Sequence, residues 1–64
     1  MDIIVTYITG ENSSGNVIWD HNHEKTKQLS IPDDKIEDDV YVEEKLAEEV
    51  PDTNIKLVKY EKVT

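Results

Sequence analysis

Residues 36–50 read IEDDVYVEEKLAEEV, and how this stretch is taken decides the fold, because it is the longest run of helix formers in a chain otherwise rich in strand formers. Glu, Lys, Leu and Ala lose little side-chain freedom in a helix, and acids at its start suit the positive end of the helix dipole. The spacing predicts a helix over 36–50 whose apolar stripe is Val42, Leu46 and Val50, with Ala47 and Val40 beside it. Tyr41 falls on the other side. Glu43 projects close to the stripe, which leaves a second reading open, with Val40, Tyr41 and Val42 as a strand ahead of a shorter helix. Pro51 stops the helix, Asp52, Thr53 and Asn54 turn, and 55–63 follows as a strand.

Upstream, residues 3–9 (IIVTYIT) are β-branched and aromatic and end at Gly10 in a cluster of turn formers, which predicts a first strand. The polar segment 10–16 is a connection, and 17–21 (VIWDH) is a second strand, so the two form a hairpin. Residues 23–28 are polar and show no period. Residues 29–33 form an extended lead-in, because the residue before Pro32 avoids the helical region. The expected fold is a single α+β domain over residues 1–64, in the order β-β-α-β, with the acidic helix on one sheet face. One helix covers one face of a three-stranded sheet and leaves the other open. Strand one is apolar on both sides, and in the last strand Val58 and Tyr60 are expected opposite Ile55 and Leu57.

A chain of 64 residues builds one core and buries only about 60% of its unfolded surface, which leaves little structure to wall a catalytic cleft. The expectation is a non-enzymatic protein without a cofactor. Having no Cys, the chain has neither disulfides nor thiolate metal sites to staple it. Its opening lacks the basic and long apolar regions of a signal peptide, and no stretch nears the roughly 20 apolar residues of a membrane span, so a cytoplasmic location is expected.

Charge is unevenly placed. Between Asp33 and Asp52 lie ten acids and two lysines, which amounts to the whole net charge of −8, while five acids and five lysines elsewhere cancel. With no Arg and no basic cluster, the chain is unsuited to nucleic acid or an anionic membrane, both of which are held by cationic contacts. A basic protein surface is the complementary partner. If 33–52 were one helix, its net charges would fall about one per 4 Å, close to the roughly 3.4 Å spacing along a DNA strand, which is the basis for reading it as a nucleic-acid mimic. Against this stands the commonness of acidic helices that merely face water.

Ile4-Val5-Thr6-Tyr7, Gly15-Asn16-Val17-Ile18, Glu37-Asp38-Asp39-Val40 with residues 43–49 of the helix, and Ile55-Lys56-Leu57-Val58 together resemble short accessory proteins of bacteriophages and prophages of Gram-positive bacteria. The likeness spans nearly the whole chain and rests on patterning, with no chemical motif. It implies a β-β-α-β fold and an accessory role in the host cytosol, and it brings no catalytic residues.

His21 and His23 are the only possible metal-binding pair, since residues i and i+2 of a strand point the same way. Two nitrogens without a third ligand do not make a zinc site, so a solvated pair is the preferred reading and no metal is assigned. Ser13, Ser14 and Ser30 show no nucleophile turn. Trp19 is read as a core anchor ahead of an interface residue. The partner-binding surface is assigned to Glu37, Asp38, Tyr41, Glu44, Glu48 and Glu49. Binding of a host protein through these residues is the leading function, with its inhibition as the finer expectation. Self-association through the uncovered sheet face is the alternative, and metal binding at His21 and His23 ranks third.

Overall fold

The computed structural model describes residues 1–63, and the fold is α+β, with a four-stranded antiparallel sheet and one α-helix. The strands are β1 (Asp2–Ser13), β2 (Asn16–Trp19), β3 (Lys25–Ser30) and β4 (Asn54–Lys62), and helix α1 (Asp39–Glu49) lies between β3 and β4. Strand β1 is the spine. Ile3 to Tyr7 pair with both β3 and β4, and Gly10 pairs with both Trp19 and Asn54. A strand has two edges, so β2 and β3 share one edge of β1 and β4 takes the other.

β1 runs past Gly10 to Ser13, four residues beyond the expected end at Thr9, because the chain reverses in only two residues. Ser14 (φ 51°) and Gly15 (φ 83°) both adopt the left-handed region, the conformation a two-residue hairpin turn requires. Gly10 is therefore a sheet position and not a turn. A Cβ there would lie 2.6 Å from Val17 Cγ1 and 2.9 Å from Trp19 Cε3, so the missing side chain is what lets Trp19 lie across the strand.

The returning arm of the hairpin is interrupted. Tyr7 faces Lys25, where an unbroken hairpin would bring Asn22 opposite it, so Asp20–Glu24 loop out and pairing resumes as β3. The sequence marks only Leu29 and Ser30 of β3 as extended and shows no period over the polar residues before them. KTKQLS has little strand preference, and only Leu29 is buried in it; the exposed ladder of β1 supplies the partner. The second strand also stops at Trp19, short of His21.

In β4 the pairing slips. Thr6 faces Lys59 and Tyr7 faces Leu57, which leaves Val58 as a bulge. The extra residue reverses the alternation beyond it, so Tyr60 joins Ile55 and Leu57 on one face. The expected separation of Tyr60 from Ile55 and Leu57 is corrected accordingly.

The helix begins at Asp39, not Ile36. Asp38 is its N-cap, and its Oδ1 accepts from the Tyr41 N–H at 3.1 Å, satisfying one donor that the first turn leaves over. Before it, Asp33–Lys35 form a single 3-10 turn. Val40, Tyr41 and Val42 are helical, which removes the strand alternative. The β-branched valines oppose helix formation only slightly, and burial of Val42 and Leu46 outweighs that cost. The core consists of Ile3, Val5, Tyr7, Leu29, Ile31, Val42 and Leu46, with Ile36, Tyr41, Val50, Ile55, Leu57 and Tyr60 packed around it.

The face away from α1 is not the apolar surface expected from Ile4 and Ile8. Ile8 is only 3% exposed and belongs to no part of the main core. It lies on the Gly10 side of β1, the side that Trp19 crosses, while the register partner of Ile8, Lys56, holds its Nζ 5.9 Å from the Trp19 ring centre. Trp19 therefore lies against Gly10 and beneath Lys56 on this face and is not an anchor of the main core. The rest of this face presents Thr6, Thr26, Gln28, Lys59 and Glu61, with Ile4 40% exposed among them.

Candidate functional site

The acidic side of the molecule is built by α1 and its lead-in. With Val42 and Leu46 turned to the sheet, Glu44 and Glu48 stand one turn apart on the solvent side, while Glu49, in line with Val42 and Leu46, lies at the last turn of the helix, and all three acids are exposed. Lys45, half-buried, lies 3.5 Å from Glu48 Oε2, a surface pair of small worth that removes little of the field. Glu37 and Asp38 precede the helix and are exposed, although Asp38 is engaged as the cap. The five lysines outside 33–52, namely Lys25, Lys27, Lys56, Lys59 and Lys62, all lie on β3 and β4. The molecule is therefore polarised, with the helix side net negative and five of the seven lysines on the strands.

Tyr41 does not stand free on the acidic side. It is half-buried, packs against the core and carries Lys35 Nζ 5.9 Å from its ring centre. Its burial gives it the intramolecular role that helical periodicity alone did not reveal. It still borders the acids, sharing a shallow 110 Å³ depression with Glu44, Lys45 and Glu48.

Two functional candidates escaped the sequence reading. Asp39 and Glu43, also one turn apart, occupy the flank of α1 that faces β4. Tyr60 Oη donates to Asp39 Oδ1 at 3.2 Å, and the Leu57 N–H donates to Glu43 Oε2 at 3.4 Å. The closeness of Glu43 to the apolar stripe was the available signal. Its carboxylate turns outward to meet the backbone of a strand that sequence spacing does not place. Burial holds the Tyr60 phenol above its ordinary pKa, assisted by the hydrogen bond to Asp39 and by the negative charges of Asp39, Asp38 and Glu37. Between this flank and β4 runs a groove of about 430 Å³, lined by Asp39, Val40, Glu43, Leu57, Val58 and Tyr60, among others. Tyr60 also borders a second hollow of about 380 Å³ with Ile36, Glu37 and Lys62, so the groove continues along β4.

His21 and His23 lie in the Asp20–Glu24 loop and not on a strand, so the alternation that would have aimed them together is lost. His23 Nδ1 is 2.9 Å from both carboxylate oxygens of Asp20, and this hydrogen bond holds the Asp20 pKa below its ordinary value. Among the described residues no group of three or more His, Asp or Glu is placed to hold a metal ion, and no helix is long and apolar enough to cross a membrane. Comparison of the chain with protein-family models, with curated proteins and with solved structures returned no match.

Proposed function

We propose that this chain is a non-enzymatic binding module of the phage accessory type, which engages a basic surface of a host protein in the cytosol through the acidic side of α1. The observation that carries the reading is the polarisation of the molecule. Glu44, Glu48 and Glu49 face solvent with Lys45 as the one cation on the helix and Lys35 the one in its lead-in, while the other five lysines are displaced to β3 and β4. One-signed surfaces steer oppositely charged partners and raise association rates.

Inhibition follows if the basic surface covered is one the host protein uses. Nucleic-acid mimicry has lost its geometric premise, since α1 has 11 residues and spans about 16 Å at 1.5 Å per residue. A mimic would have to use the lead-in acids together with those of the helix. Self-association is the weaker reading. Two copies joined at the same edge would set the lysines of β3 beside those of a second β3, or those of β4 beside those of a second β4, and like charges across a strand pair repel.

The test is capture of host proteins on the immobilised chain, run in parallel with Glu44→Lys/Glu48→Lys. A partner retained at low salt by the native chain, released at high salt and absent from the reversed chain supports the reading. Capture that is equal on both chains and indifferent to salt refutes it.

A further inference from the structure

The groove between α1 and β4 sits beside a strand edge with no partner among the described residues, and the hydrogen-bond pattern shows which groups that edge offers. The Val63 N–H donates to Asp2 O at 3.0 Å, and antiparallel ladders alternate, so Glu61 and Lys59 turn their backbone groups toward β1 while Lys62 and Tyr60 turn theirs outward. Beyond the bulge the Leu57 N–H also points outward, since it reaches Glu43. That bond is long, so the carboxylate covers the edge donor without saturating it.

Resting on the acidic-partner reading above, we propose that this groove is where the partner binds, as an extended basic segment that adds a strand to β4. Edge addition takes its affinity from main-chain hydrogen bonds and its specificity from alternate side chains. The outward groups of Leu57, Tyr60 and Lys62 supply the first. For the second, an added strand turns every other side chain toward α1, where it meets Asp39 and Glu43 beside Val40, which is 67% exposed, and further along Glu37; Lys62 borders the far end of the groove, while Lys59, paired with Thr6, belongs to the opposite sheet face. Lys or Arg side chains satisfy that wall, because their cationic heads reach the carboxylates while their methylene stems lie on Val40. A second copy of β4 is a poor occupant. Antiparallel self-pairing sets one acid-bearing helix flank beside the other, and like charges repel. From Leu57 to Lys62 the edge is six residues long, enough for about 20 Å of extended chain at roughly 3.3 Å per residue.

The experiment titrates the isotope-labelled full chain with a short peptide of alternating lysine and valine, and with the same peptide N-methylated at alternate residues. The two probes carry identical charge and differ in backbone donors. The expected result is that the first peptide shifts the amide signals of Leu57, Tyr60 and Lys62 and protects them from exchange. The second should bind about tenfold or more weakly, the worth of one or two hydrogen bonds. Equal binding of both peptides, with shifts centred on Glu44 and Glu48, overturns the groove and leaves the acidic-partner reading standing. Failure of both to bind at low salt overturns both readings.

Discussion

On the face of the sheet turned toward α1, Ile3, Val5, Tyr7 and Leu29 meet Val42 and Leu46, and burial comes from two complementary elements set side by side. On the opposite face Ile8 is buried almost as completely, but no helix covers it among the described residues, and beside it Trp19 lies against Gly10, which has no side chain to hold it off. The first face draws on many apolar contacts. The second depends on one aromatic ring crossing one glycine. Stability should therefore be concentrated on the α1 face, and the same helix that closes the core there carries the acids outward. Fold and charged surface are two sides of one element.

The largest effect is expected for Leu46→Ala. A fully buried leucine replaced by alanine costs about 2–5 kcal/mol. At about 0.05–0.15 kcal/mol per residue the whole chain has only about 3–10 kcal/mol to lose. Chemical denaturation should show a domain near or past its unfolding threshold at physiological temperature. Gly10→Ala should cost less, about 1–3 kcal/mol, as an overpacking strain against Val17 and Trp19. Pairing it with Val17→Ala should recover part of the loss, because the nearest atom is then gone. If Gly10→Ala proves as damaging as Leu46→Ala, the two faces contribute equally and the contrast fails.

Much of this asymmetry was legible beforehand. Leu46 and Val42 declared themselves by helical spacing, and β1 by its run of β-branched residues, since both signals are local. β3 was not legible, because Lys25–Ser30 is a strand only by virtue of the β1 ladder it completes. The side on which Tyr60 falls was misread because a bulge has no dependable local mark, and Val58 looks like any strand valine. For the candidate site, the exposed placement of Glu44 and Glu48 follows from the helix alone. Asp39 and Glu43 were missed because their partners, Tyr60 and the Leu57 backbone, come from a strand 14 or more residues away. The packing of Tyr41 is hidden for a related reason: its helical position borders the stripe, and only the sheet decides whether such a residue is covered.

Smaller effects appear at the extremes of pH. Tyr60 has a raised pKa in the folded chain, so its contribution is fully present below the ordinary tyrosine value of about 10 and is lost as pH rises through the folded value. Asp39→Asn removes a negative neighbour and should shift Tyr60 titration, followed by ultraviolet absorbance, toward lower pH. An unchanged titration would mean that Asp39 contributes nothing to the groove. Asp20 behaves in the opposite sense. Its folded pKa is lowered, so its contribution is present above about 4 and fades as pH falls through the folded value, and His23→Ala should reduce the acid sensitivity of the melting temperature slightly.

The most direct test of the central claim, that the outer side of α1 is a steering surface, is the association rate of the captured partner measured against ionic strength. Screening shortens from about 30 Å at 0.01 M salt to about 3 Å at 1 M, so the native rate should fall steeply across that range. Glu44→Lys/Glu48→Lys should associate at least about tenfold more slowly at low salt, with little change in dissociation and with stability within about 0.5 kcal/mol of native, because both side chains are exposed. Association rates that are flat in salt and identical for the two chains would contradict the account.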